Sequence, residues 1–168
     1  RIQKLPDAPN VVFMTGLKFG SSSNPALTWA MNCYVPVLVC QKYPASRIAV
    51  FSSGNVYGMT PASQGGSVET DTPQPVGEYA ITVLGRERMF EYCSRERDIP
   101  IVHLRLNYAT ELRYGVLVDL AQRVNRGEPI DVTTGWVNVI WQTEANAMAL
   151  ESLLHAATPP RILNIAGP

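Results

Sequence analysis

The chain is 168 residues long and 46% hydrophobic, enough for one domain with a real core. Its 14 basic residues balance 14 acidic ones, so no overall field gathers nucleic acid or an anionic membrane. A charged fraction of 17% excludes a disordered or fibrous chain. Three cysteines, Cys33, Cys40 and Cys93, show no metal spacing and leave an odd count for disulfides. All three fall in predicted helices among apolar neighbours, where a free thiol acts as a small hydrophobe, so a reducing cytoplasm is expected. The longest apolar stretch, Tyr34 to Cys40, contains Pro36 and is too short to span a bilayer. No charged-then-apolar leader opens the sequence, so no secretion signal is expected either.

In chain order, Asn10 to Met14 reads as a buried strand, followed by a glycine- and serine-rich loop from Gly16 to Ser23. Asn24 is a helix cap with Pro25 at the first helical position, and the helix runs to about Lys42 with a kink at Pro36. Arg47 to Phe51 is a second strand, ending at Ser52-Ser53-Gly54. Residues 58–77 are rich in Gly, Pro, Ser and Thr, and a loop of that length in a compact domain suggests a functional role such as a substrate lid. A helix from about Val76 to Arg97 and a strand from Ile101 to Arg105 follow. Tyr114 to Asn125 is amphipathic with Gly127 as its C-terminal cap, Glu144 to Ala157 is helical, and Arg161 to Ile165 is a last strand. Short apolar runs alternating with longer helices predict a mostly parallel α/β sheet, without a repeat or a dividing linker. In the long helix, Arg86, Arg88, Arg95 and Arg97 alternate with Glu87, Glu91 and Glu96, which reads as a solvated mixed-charge face.

Neither phosphate-binding motif is present after the first strand. Thr15 to Gly20 offers two glycines where a dinucleotide fingerprint needs three, and Gly20 is followed by serines where a P-loop needs lysine. The chemistry lies further along. In Phe51-Ser52-Ser53-Gly54-Asn55-Val56-Tyr57-Gly58 a hydroxyl stands at the carboxyl end of a buried strand, where open α/β sheets bind ligands. Tyr79 opens the next helix, and a converging serine and tyrosine can share a proton with a substrate hydroxyl or ketone.

The run Val50 to Gly58 resembles the strand and active-site turn of NAD(P)-dependent epimerases and dehydratases, members of the extended short-chain dehydrogenase family. Val68-Glu69-Thr70-Asp71-Thr72-Pro73 is similar to the family's lead into its catalytic helix, and Arg105-Leu106-Asn107-Tyr108 to its Arg-x-x-Asn strand end. Val137 to Gln142 and Leu163 to Gly167 resemble two later family segments in the right order. The resemblance implies a partial Rossmann-like, doubly wound sheet over residues 1–168, with about 106–160 contributing to a small substrate lobe. It implies NAD or NADP as cofactor, a nucleotide sugar as the small-molecule substrate, no metal and a homodimer through the helices beginning at Asn24 and Tyr79. Ser53 and Tyr79 fall on the catalytic positions. Met14, Thr15, Gly16, Phe51, Ser52, Tyr79, Leu106 and Asn107 fall on cofactor positions, and Ser53, Gly54, Asn55 and Asn107 on substrate positions.

Two departures stand out. Four residues after its tyrosine the family has lysine, one helical turn along the same face, where its charge favours the tyrosinate. Here that residue is Val83. Lys18, just past the first strand, is the candidate to supply the missing cation from the opposite wall, whereas Arg86 reads as solvent-facing. A non-catalytic relative that binds a dinucleotide or a partner protein is the competing reading, and a plain structural domain is the third. The family's first three strands and glycine-rich turn are also missing, and the apolar edge from Asn10 to Phe51 expects sheet neighbours, so part of a longer polypeptide is expected.

Overall fold

The computed structural model describes residues 2–133 and 135–167. Its strands are β1 (Asn10–Phe13), β2 (Arg47–Ser53), β3 (Ile101–Leu106), β4 (Tyr108–Thr110), β5 (Val139–Trp141) and β6 (Arg161–Ile165). Its helices are α1 (Pro25–Trp29), α2 (Val35–Lys42), α3 (Gly77–Arg97), α4 (Val116–Asn125) and α5 (Gln142–Glu151). One parallel sheet runs in the order β1-β2-β3-β6, and β4 and β5 pair separately, also in parallel. The mostly parallel α/β architecture expected from the sequence is the one found.

The period-two alternation of a strand assigns each face of the sheet its cover. Ile48 and Val50 of β2 and Ile101 of β3 pack with Phe90 and Cys93 of α3 and Val39 and Cys40 of α2. Ala49, Val102, Leu104 and Ile165 point the other way, onto Ala145 and Ala149 of α5. Both faces are therefore dry, which is why these strands read as continuous apolar runs.

Helix ends follow their local chemistry. The Asn24 side chain accepts a hydrogen bond from Leu27 N at 3.1 Å, with Pro25 at the first position of α1. Gly127 takes a positive φ of 66° after α4, where Gly127 N and Glu128 N donate to the carbonyls of Val124 and Arg123. The helix expected from Asn24 to Lys42 is interrupted by one π-helical segment, Ala30–Tyr34. The break precedes Pro36, which has no N–H to pair with the carbonyl four residues back. The helix expected from Glu144 to Ala157 is α5, which starts at Gln142 and ends at Glu151 in a 3-10 turn, Ser152–His155. Strands β4 and β5, at three residues each, are too short to carry a readable alternation and were not expected.

His103 of β3 lies against Phe90 under α3, and neither ring nitrogen has a partner among the described residues. Burial, partly offset by the Glu87 carboxylate, pushes its pKa down to about 4. An unfolded histidine takes up a proton below its ordinary value while this one stays neutral, so stability is present above about pH 6.5 and falls as pH drops toward 4. We expect the unfolding free energy to fall by about 2 kcal/mol between pH 7 and pH 5, and the His103→Leu variant to lose that dependence. Urea denaturation at the two pH values measures it, and equal pH dependence in both proteins would remove His103 as the cause.

Candidate active site

β2 ends by handing its hydroxyl to the sheet's carboxyl edge. Ser53 keeps an extended backbone, and its Oγ accepts from Asn55 N at 3.2 Å, starting a 3-10 turn at Gly54–Val56. Gly54 allows close approach of Asn107, because a Cβ there would lie 2.4 Å from Asn107 Oδ1. Tyr79 is the third residue of α3 and half-buried. Ser53, Tyr79 and Asn107 line one cleft of about 260 Å³ at the carboxyl ends of β2 and β3. Met14, Gly16, Phe51, Ser52 and Leu106 complete much of its wall, as does Leu17, which the sequence did not single out. Thr15, Gly54 and Asn55 are not among its lining residues; Thr15 and Asn55 are exposed, and Gly54 serves the turn.

Lys18 reaches the same cleft. Its Nζ lies 5.7 Å from the ring centre of Tyr79, 5.5 Å from that of Tyr108 and 5.9 Å from that of Phe19. Val83 is fully buried and supplies no charge. Arg86, expected at the solvent face, is instead 5% exposed and lines the cleft. Seven residues from Tyr79 it returns to nearly the same helical face, and that face is packed against the sheet. Glu87 is likewise buried, at 3% exposure, and not part of a solvated face. Only the outer charges behave as expected: Arg88 and Arg95 pair with Glu91 at the surface.

Beneath the cleft runs a connected polar chain. The parallel register sets Ser52 beside Arg105, both under α3, so an apolar layer is interrupted by two polar side chains. Glu87 answers both: Arg105 donates to it through Nε at 3.0 Å and Nη2 at 2.8 Å, and Ser52 Oγ donates at 2.5 Å. Burial pushes the Glu87 carboxyl up, but the hydrogen bonds from Arg105 and Ser52 and the charge of Arg105 hold it below its ordinary value. Arg105 Nη1 also donates to Tyr57 Oη at 2.7 Å, and Tyr57 donates to Asn164 Oδ1 at 2.9 Å. Asn164 then ties down the long loop, donating its Nδ2 to Ser67 O and its backbone N to Glu69. The expected Glu69 segment thus docks on β6, away from the cleft.

The profile of the NAD dependent epimerase/dehydratase family matches residues 2–141, and the chain belongs to that family. Among solved structures, RMD from Pseudomonas aeruginosa complexed with NADPH is similar at 19% identity and a TM-score of 0.77, covering 97% of this chain and 61% of that one. UDP-glucuronic acid 4-epimerase from Bacillus cereus in complex with NAD gives 19%, 0.76, 100% and 57%. UDP-glucose 4-epimerase from Thermotoga maritima with UDP-glucose gives 20%, 0.73, 94% and 55%. At these identities the likeness shows the fold, and the chain spans somewhat over half the length of each structure. None of the curated proteins matches it in sequence. Among the described residues no helix is long and apolar enough to cross a membrane.

Proposed function

We propose that the protein works as an NAD(P)-dependent epimerase or dehydratase on a carbinol of a nucleotide sugar, with Tyr79 as acid/base and Ser53 as orienting donor. The observation that carries this reading is the meeting of Ser53, Tyr79 and Asn107 in one cleft, with Lys18 and Arg86 in its lining. The family membership, the NAD held by the solved Bacillus cereus epimerase and the UDP-glucose held by the Thermotoga maritima one support it.

The cleft fits the nicotinamide end of a dinucleotide. It sits at the strand ends, and Gly16 leaves bare backbone in its wall. Met14, Gly16, Phe51, Ser52, Leu106 and Asn107 would hold that end. Bound there, the nicotinamide would supply a hydride acceptor and donor. Tyr79 would take the proton of the substrate hydroxyl, and Ser53 Oγ would donate a hydrogen bond to the same oxygen. Lys18 would face the phenol from the loop after β1. We assign the segment after Leu106, with β4, β5 and α4 outside the main sheet, to the substrate side. A non-catalytic binder, favoured by the buried Val83, is the alternative.

The test is absorbance at the reduced-nicotinamide band when the full protein meets NAD+ or NADP+ and a set of UDP-, GDP- and dTDP-sugars. Formation of reduced nicotinamide, or of an epimerised or dehydrated sugar by mass and NMR, supports the proposal. Dinucleotide binding without any turned-over sugar would favour the binder. Within the reaction, Lys18→Ala is expected to lower kcat a few-fold, on the order of 0.5–1 kcal/mol for an exposed cation over aromatic rings. Unchanged turnover would take Lys18 out of the site.

A further inference from the structure

An arginine taken out of water normally meets a carboxylate, because an uncompensated buried charge is costly. Arg86 meets none among the described residues. Its neighbour Glu87 is committed to Arg105. Its own partners are neutral: Nη2 donates to Asn32 Oδ1 at 2.6 Å, Nη1 donates to the Phe51 carbonyl at 2.8 Å, and Nε is buried without an acceptor. The guanidinium also lies 5.7 Å from the ring centre of Phe13. Burial pulls Arg86 below the usual arginine range, opposed by Tyr79, Cys33 and Glu87.

The group is held still. The Asn32 amide is saturated, accepting from Leu17 N at 2.9 Å and donating to Leu17 O at 3.1 Å and Thr82 Oγ1 at 2.8 Å. Asn32 is fully buried. Gly16 makes room above it, since a Cβ there would fall 2.0 Å from Arg86 Nη2. A fixed cation in a dry wall with no resident anion is suited to an anion that forms only during the reaction.

We propose that Arg86 is a positioning residue whose fixed charge stabilises the phenolate of Tyr79, so that the buried Val83 leaves no gap in the chemistry. This rests on the reading of Tyr79 as the acid/base. Tyr79 and Arg86 share one face of α3 and line one cleft. The other groups around Tyr79 are Lys18 on the loop after β1, which also lies over the Tyr108 ring of β4, Ser53 at the end of β2 and Glu78 on α3. Glu78 is turned aside by a 3.0 Å hydrogen bond from Trp29 Nε1. Lys18 is exposed and solvated, so salt screens it as it does not screen Arg86.

The experiment is an ultraviolet titration of tyrosine ionisation in the full protein without ligand, with the Tyr79→Phe trace subtracted so that only Tyr79 remains. In Arg86→Gln the Tyr79 transition is expected to move up by about one pH unit or more, and in Arg86→Lys to stay near that of the wild type. Lys18→Gln should move it less, and raised salt should shift the Lys18 contribution and spare that of Arg86. If Arg86→Gln does not fold, Gly16→Ala carries the test, because its methyl group overlaps Nη2 and displaces the guanidinium with its charge intact. An unmoved transition in the folded variants, or a transition governed wholly by Lys18, overturns the proposal. A shifted transition in a protein that turns over no sugar would sink the proposed reaction and leave this charge arrangement standing.

Discussion

Tyr79→Phe is expected to lower kcat for carbinol oxidation by about 10²–10⁴-fold, with KM nearly unchanged. The substitution deletes one oxygen and nothing else. The ring that faces Lys18 stays in place, and Tyr79 is only half-buried. Stability should therefore hold within about 0.5 kcal/mol. What disappears is the phenol hydroxyl to which the proposed reaction assigns the proton transfer beside Ser53. Single-turnover formation of reduced nicotinamide separates the chemical step from binding, and thermal unfolding controls for the fold. A variant that keeps kcat within a few-fold of wild type would rule out Tyr79 as the acid/base.

Glu87→Ala is expected to cost about 3–5 kcal/mol of stability, a large share of what a domain this size has. Glu87 and Arg105 are 3% and 2% exposed, and Arg105 binds the carboxylate through two nitrogens. Removing the carboxylate strands a guanidinium in the core and frees Ser52, whose hydroxyl fixes the strand end carrying Ser53. The double variant Glu87→Met, Arg105→Met should recover much of the loss, because two apolar side chains strand nothing. The acid limb has a definite sign. The folded carboxyl sits below its ordinary value, so its contribution is present above about pH 4.5 and is lost as pH falls through the folded value. Urea unfolding at neutral pH decides the matter, and a loss below about 1 kcal/mol would mean the pair stabilises nothing.

Much of this fold is legible in its sequence. The runs Asn10 to Phe13, Arg47 to Phe51 and Ile101 to Arg105 are apolar on both faces, so a covered parallel sheet was legible from composition alone. The caps at Asn24 and Gly127 were legible because each has a single local cause. Ser53, Tyr79 and Lys18 were legible as candidates, and the cleft brings them together. Arg86 and Glu87 are not, because the charges beside them in sequence point to solvent. Counted by helical spacing, they fall with Ala80, Val83, Phe90 and Cys93 on the face that is buried. The register between Ser52 and Arg105, which creates the need for a buried carboxylate, has no trace in local pattern, since it is set by the pairing of two distant segments. Asn32 was hidden for a related reason: its place depends on a π-helical segment that no simple periodicity anticipates.

That segment makes the alignment of the site a matter of chain length. A π turn amounts to one extra residue wound into a helix. Ala30–Tyr34 accommodates that residue between α1, which carries the Asn24 cap, and α2, which is anchored in the core through Val39 and Cys40. Shortening the chain there by one would let a regular helix form, at some gain in backbone regularity. It would also swing everything on one side of the cut by about 100° relative to the other. Asn32 could then no longer address Leu17, Thr82 and Arg86 at once. The helix here is tolerated as imperfect so that one amide can serve three neighbours, and substitutions within it should be far easier to absorb than insertions or deletions.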